Sequence, residues 1–484
     1  MNPPAAPAAS PAATLDRISQ RLARVHQQHL LSFYPRLTPA QQTALVAQID
    51  ALDLESLPAL IDAYVLRKPE YKLPSTLAPA RCYPLSGQGW DRDAARRAGE
   101  DLIRKNKVAA FVVAGGQGSR LGFDGPKGCY PAGAVTNKPL FQIFAEGIKA
   151  TQRTYACVVP WYIMTSPLNH EQTVSFFRRH NTFGLDPANV KFFQQGVMPS
   201  FDMATGKVLL SAPHEVATNP DGHGGAVRAL HQSGSLADMR ARGVEHLSYF
   251  QVDNPHVRVI DPVFIGLHAT APDSSGEMSS KMVAKASPDE KVGVFVQGDG
   301  RTQVLEYSDM PKALQEQRDA SGALTYNAGS IAIHIISVEF LSRLATDPKF
   351  ALPAHRAEKK IPHADPASGH VVSPTTNNGV KLEKFIFDAL PLCKSSIVLE
   401  TDRVEEFAPI KNATGVDSID SSRALQTRRA SRWLEAAGVR VPQAPDASPD
   451  CVLEVSPLTA LDADQLKASP ARPASVAPGA RLAI

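Results

Sequence analysis

Apolar residues recur at helical spacing early in the chain and change rhythm near residue 100. Leu15, Ile18, Leu22 and Val25 fall three or four apart and are followed by Leu30 and Leu31, so residues 15 to 67 read as helical. Thr38-Pro39 before AQQTALVAQIDAL supplies an N-cap and a proline at the first helical position. Further on, short runs rich in β-branched and aromatic residues alternate with helical stretches. They predict strands over Val108–Val113, Trp161–Thr165, Val190–Gln194, His246–Val252, Val292–Gln297, Gln303–Tyr307 and Ser330–Ile336. Helical patterns fall between them at Leu140–Ala150, Glu171–His180 and Gly225–Gln232. Strands that are apolar throughout, separated by helices, predict an α/β fold whose mixed, mostly parallel sheet is Rossmann-like and covered on both faces. Ligands of such sheets sit at the carboxyl ends of the strands.

This pattern divides the chain into a lead-in (1–14), a helical N-terminal region (15–100), an α/β domain (101–397), a short C-terminal region (398–468) and a Pro/Ala-rich tail (469–484). The C-terminal region holds a helix over Ser421–Ala437. The Ala/Pro-rich lead-in and tail offer little to bury and read as disordered. The start lacks a basic n-region and an apolar h-segment, so it does not read as a secretory signal. Among 484 residues, 51 Lys and Arg nearly balance 48 Asp and Glu, which argues against a dedicated nucleic-acid surface. No apolar run approaches the roughly 20 residues that cross a bilayer. Five scattered cysteines without a C-x-x-C pair exclude a disulfide framework and a zinc ribbon, and point to a reduced, cytoplasmic protein.

The sharpest chemical feature is FVVAGGQGSRLGFDGPKGCYPAG, Phe111 to Gly133. A buried strand ends at Ala114 and runs into Gly115, Gly116 and Gly118, with Arg120, Gly122 and Lys127 behind. Glycines let backbone N–H groups approach phosphate oxygens closely, and the two cations add charge-assisted bonds. Two look-alikes fail on spacing. No Lys-Ser/Thr pair follows the glycines as a P-loop needs, and Leu121 stands where the last glycine of a dinucleotide fingerprint belongs.

AGGQGSRLG followed by PKG resembles the signature of the UTP–sugar-1-phosphate uridylyltransferases. MTSPLN (Met164–Asn169), NPDGHGGAVRAL (Asn219–Leu230), YFQVDNPHVRVIDPVFIG (Tyr249–Gly266), EMSSKMVAK (Glu277–Lys285), VLEYSDM (Val304–Met310), YNAGSIAIH (Tyr326–His334), KKIPH (Lys359–His363), GVKLEKFIFDAL (Gly379–Leu390) and FAPIKNATG (Phe407–Gly415) continue the match in order over residues 100 to 435. Together they are similar to the UDP-N-acetylhexosamine (UDP-N-acetylglucosamine) pyrophosphorylase branch. The resemblance implies a nucleotidyltransferase of GT-A-like fold that makes UDP-N-acetylglucosamine and pyrophosphate from UTP and N-acetylglucosamine 1-phosphate. The substrates are small molecules, with neither nucleic acid nor membrane as partner, and the protein is a monomer or homodimer. The nearest alternative is a glucose- or galactose-1-phosphate enzyme or a broad UDP-sugar pyrophosphorylase, because His223 in DGHGG departs from the N-acetylhexosamine pattern. A non-catalytic nucleotide-sugar binder would lack Arg120, Lys127 or Asp253, and all are present.

Carried onto this chain, the resemblance makes Arg120, Lys127 and Lys411 the catalytic cations. Ala114, Gly115, Gly116, Pro220, Gly222 and Gln195, or its neighbour Gln194, become the nucleotide contacts. A side-chain amide suits uracil because it both donates and accepts. His223, Asn254, Glu306, Tyr307, Asn327 and Lys381 are the expected sugar-side residues, with Gly329 leaving room and Lys381 on a helix shared with Lys384. Asp253, directly after a strand, and Asp221, on a loop, are the expected ligands of Mg²⁺, with Mn²⁺ as its substitute.

Overall fold

Each apolar run forms a strand, with ends within two residues of those the pattern gives. In the computed structural model, which describes residues 11–347 and 349–484, the main strands are β1 Val108–Val113, β2 Trp161–Thr165, β3 Val190–Gln194, β4 His246–Gln251, β5 Met278–Ala284, β6 Val294–Gly298, β7 Arg301–Leu305, β8 Ala328–Ser337 and β9 Val398–Glu400. With Cys82–Tyr83 and Leu77–Pro79 they make an 11-stranded sheet in the order Cys82–Tyr83, β9, β5, β8, β4, β1, β2, β3, with β6, β7 and Leu77–Pro79 off this path. The run β4-β1-β2-β3 is parallel, whereas β8 lies antiparallel between β4 and β5.

The register fixes one functional edge. Tyr249 pairs with His334 and Ala284 with Ala328, so β8 begins where β1, β4 and β5 end. Residues after β1, β3, β4 and β5 therefore share that edge with residues before β8.

The described residues divide into two units. The larger comprises 73–195, 226–351 and 386–484 and contains the sheet. Its core stacks Phe141, Trp161 and Phe177 edge to face. Helices Arg92–Arg104 and Pro262–Thr270 touch backbone to backbone. A β-carbon on Gly99 would sit 1.8 Å from the Pro262 carbonyl oxygen, and one on Gly266 would sit 1.7 Å from that of Ala95. Gly99→Ala is therefore expected to destabilise the protein by about 3 kcal/mol, read as a lowered urea midpoint. An unchanged midpoint would mean that the helices part freely.

The smaller unit joins 1–72, 196–225 and 352–385. The N-terminal helices are part of this unit's core: Ile18, Leu22, Leu45 and Ile49 pack with Phe201, Val208, Val380 and Leu382. Thr38 caps helix Pro39–Asp50 as its sequence indicates, in a reciprocal capping box with Gln41. Residues 1–10, most of the expected lead-in, lie outside the described residues, and a helix already begins at Pro11.

The tail differs from its compositional reading. Ala480–Ala483 pairs in parallel with Cys451–Glu454, and Val476, Leu482 and Ile484 join a core with Trp433, Leu434 and Leu453. A few apolar residues suffice because a folded surface is already there to receive them. Glu454 then accepts hydrogen bonds from Val135 N (2.7 Å) and Thr136 N (2.8 Å), while Gln426 and Arg481 bond to Ala132 and Ala134. The loop that follows Lys127 is pinned from the chain's far end. Among the described residues no helix is long and apolar enough to cross a membrane.

Candidate active site

The glycine loop is held open by its own backbone and one buried amide. Ala114 N donates to Met164 O (2.7 Å), extending β1 beyond its last residue. Asn169, 1% exposed, donates through Nδ2 to Ala114 O (2.9 Å) and Gly116 O (3.2 Å) and accepts from Ser166 N. Lys127 N also donates to Gly116 O, and Gly118 N to Gly125 O, which closes the loop on itself. Gly122 sits at φ 68°, a left-handed turn that glycine takes without strain. A β-carbon on Gly118 would strike Phe123 at 2.7 Å, yet one on Gly116 would meet nothing within 4 Å. The open face of the loop is at Gly116.

Gln195 is the glutamine beside that face. Its Oε1 lies 2.8 Å from where a Gly115 β-carbon would be, and its own N–H donates to Thr165 O. Gln195 is buried while Gln194 is exposed, so of the two it is Gln195 that faces Gly115. Strand alternation turns neighbouring side chains to opposite sides.

The cations gather next to the loop. Lys127 Nζ stands 4.0 Å from Asp253 Oδ2, with side chains 15% and 13% exposed. Burial pushes the Lys127 ammonium below the ordinary lysine range; Asp253 opposes that shift, while the charges of Lys411 and Arg120 reinforce it. Arg120, Lys127, Lys411 and Asp253 thus share one field. Arg120 is exposed on the turn Ser119–Leu121, and no ion pair of its guanidinium occurs among the described residues. Lys411 lies 3.6 Å from Asp417, whose backbone oxygen accepts from Lys411 N. Ile410 N donates to Asp253 O (2.9 Å), tying the Lys411 segment to the Asp253 turn.

Asn327, Glu306 and Tyr307 cluster further along the same edge. Asn327 O accepts from both Lys285 N and Gly329 N. Glu306 lies beside Gly293, where a β-carbon would be 3.0 Å from its Oε1, and Tyr307 is 41% exposed. A β-carbon on Gly329 would be 3.0 Å from Val283 O, so glycine there is a packing requirement as well.

Asn254 is oriented by backbone groups. Nearly buried, it donates through Nδ2 to Glu406 O (2.6 Å), and its Oδ1 accepts from His256 N and Ala408 N (3.1 Å each). Both ends of the amide serve the backbone, which fixes its orientation and leaves the second N–H of Nδ2 outside these three bonds. Asn169, Lys285 and Asp417 are the residues that sequence reasoning left unassigned. Asn169 and Lys285 end the motifs MTSPLN and EMSSKMVAK, and that position was the available signal.

Pro220, Asp221, Gly222, His223 and Lys381 belong to the smaller unit. Asn219 donates to Pro220 O and Leu382 O, and Lys384 N donates to Asp221 O. Gly222, at φ 83°, would place a β-carbon 2.4 Å from Lys384 O. The Asp221 carboxylate lies against Gly196 and Gly225, which have no side chain to oppose it. His223 stacks on Phe385 at 5.1 Å, and His355 stacks on the same ring at 4.1 Å. Burial, and then the charge of His355, pull the His223 pKa down to about 4. Lys381 stands on strand Gly379–Glu383, not on a helix: Val380 and Leu382 point into the core on the period of two that strands obey.

A family model described as UTP–glucose-1-phosphate uridylyltransferase matches residues 91–472. The chain belongs to that family. It is 38% identical over 482 residues to human UDP-N-acetylhexosamine pyrophosphorylase-like protein 1, covering 93% of this chain and 94% of the relative. It is also 38% identical to UDP-N-acetylglucosamine pyrophosphorylase of Saccharomyces cerevisiae, over 76% of this chain and 78% of the relative. The solved structure of the Trypanosoma brucei UDP-N-acetylglucosamine pyrophosphorylase superposes with TM-score 0.79 at 27% identity, covering 96% and 95% of the two chains. A Leishmania major UDP-glucose pyrophosphorylase shares the fold (TM-score 0.61) at 16% identity, over 89% and 87%. The matched residues 91–472 include the glycine loop, Lys127, Asp253 and Lys411.

Proposed function

We propose that this protein joins UTP and N-acetylglucosamine 1-phosphate to give UDP-N-acetylglucosamine and pyrophosphate. The observation that carries the reading is Lys127, 4.0 Å from Asp253 and within the field of Arg120 and Lys411, beside the open glycine face. Transfer to the α-phosphorus needs no protein nucleophile: the sugar phosphate oxygen attacks in line and pyrophosphate leaves. The protein's task is to hold two anions together and stabilise charge that grows on the phosphoryl oxygens. Arg120 offers a planar fork to two oxygens, and Lys127 and Lys411 offer point charges. Gly115 and Gly116 admit the nucleoside, with Gln195 reading the uracil edge. Glu306, Tyr307 and Asn327 are suited to sugar hydroxyls and to an N-acetyl group.

Magnesium fits the donor chemistry of this edge. No group of three or more His, Cys, Asp or Glu that could cage a metal occurs among the described residues. A single carboxylate, Asp253, suits an ion that keeps waters and borrows phosphate oxygens. When bound, the ion would neutralise phosphate charge. Five free cysteines suit a reducing, cytoplasmic setting.

The sugar is assigned from likeness. Relatives named for N-acetylated sugars reach 36–38% identity, while the UDP-glucose structures lie at 15–16%. A pyrophosphate-release assay with UTP, Mg²⁺ and a panel of sugar 1-phosphates is expected to give kcat/KM about tenfold or more higher for N-acetylglucosamine 1-phosphate than for glucose 1-phosphate. The reverse order would transfer the assignment to the glucose class.

A further inference from the structure

Lys281 lies on β5 in the body of the sheet and is 1% exposed. Its ammonium donates to Asp261 Oδ2 and to both oxygens of Glu406, each at 2.6 Å. Burial alone would strip its proton, but the two carboxylates outweigh that and hold Lys281 above the ordinary lysine range. A buried ion cluster of this kind adds little stability over apolar side chains of equal volume. Its use lies in where it fastens the chain.

Two connections leave the cluster, and two more bonds carry the first onward. Glu406 offers its backbone oxygen to Asn254 Nδ2 (2.6 Å), one residue from Asp253. Asn254 Oδ1 returns to Ala408 N, and Asp253 O accepts from Ile410 N. Asp261 caps helix Pro262–Thr270 through Val263 N (3.0 Å), anchoring the other end of the turn that begins at Asp253. The Asp253 turn and the segment running into Lys411 are therefore laced together over Lys281.

We propose that Lys281, Glu406 and Asp261 are positioning residues that set Lys411 and Asp253 in register for nucleotidyl transfer. This rests on the reading of Lys411 and Asp253 as substrate-side groups. None of the three touches substrate. UTP binding, carried by Gly115, Gly116, Gln195 and Arg120, would survive their loss, whereas the transition-state fit at Lys411 would not.

The test pairs two variants with one double-mutant cycle, scored by kcat and KM for UTP in the pyrophosphate-release assay. Glu406→Gln keeps the shape and the backbone link, and is expected to lower kcat about tenfold with KM for UTP changed less than threefold. If Glu406 acts through Lys411, Lys411→Ala combined with Glu406→Gln will be no more than about threefold slower than Lys411→Ala alone. The charge-free Lys281→Met/Asp261→Asn/Glu406→Met leaves Arg258 paired with Asp462 and Arg429 near Glu405, and is expected to show the same loss of kcat at a temperature where circular dichroism finds it folded. Multiplicative losses in the cycle, or a stable charge-free variant with full kcat, would overturn the proposal. A Lys411→Ala variant that is itself fully active would instead overturn the site assignment beneath it.

Discussion

Lys127→Met is expected to lower kcat for UDP-N-acetylglucosamine formation by about 100- to 1,000-fold, the range seen when one charge-stabilising donor is removed from a preorganised site. Methionine keeps the aliphatic volume of a side chain that is only 15% exposed, so the loss should come from charge and not from packing. The melting temperature should hold. Lys127 N still donates to Gly116 O whatever the side chain, so the loop closes as before. Wild-type activity should also fall at alkaline pH, and sooner than for an ordinary lysine, because burial favours the neutral amine. The stability contribution runs the other way. With the folded pKa below the unfolded one, the unfolded chain binds the extra proton between the two values, so stability rises with pH across that window. An activity loss that tracked unfolding at high pH would contradict this, and a variant within tenfold of wild type would remove Lys127 from the phosphate site.

Asp253→Asn is expected to cost on the order of 100-fold in kcat and to raise the Mg²⁺ concentration needed for half-maximal rate. Asparagine preserves shape but carries no charge for a cation. The backbone link survives, since Ile410 N bonds to the Asp253 carbonyl and not to its side chain. A second signature follows from the 4.0 Å approach of Lys127. Asp253 opposes the downward shift of the Lys127 pKa, so its neutralisation should move the alkaline limb of the rate profile to lower pH. Calorimetric titration of Mg·UTP into both proteins, beside the pH profiles, reads both effects. Unchanged Mg²⁺ dependence and an unmoved limb would take the metal away from Asp253.

The strands and the glycine loop were legible because their signals are local. Val108–Val113 reads as a buried strand from its own side chains, and Gly115, Gly116, Arg120 and Lys127 follow within fifteen residues. Where a side chain's role depends on partners far along the chain, local pattern gave the wrong reading or none. The bonds that orient Asn254 come from Glu406 and Ala408, over 150 positions away, and no local pattern shows them. Lys381 and Lys384 in GVKLEKF read as sharing a helix, but pairing of Gly379–Glu383 with His355–Lys359 makes Lys381 a strand residue. The tail has a linker's composition and still pairs with Cys451–Glu454.

The sequence by itself therefore determined the chemistry on offer: a cationic glycine turn after a buried strand, and a carboxylate after another. Only the tertiary structure decided which of Gln194 and Gln195 faces Gly115, that Lys127 approaches Asp253, and that a buried lysine laces the Asp253 turn to the segment running into Lys411. Short-range pattern encodes backbone conformation and residue type, whereas a distance between side chains separated by hundreds of residues is set by how strands register and helices pack.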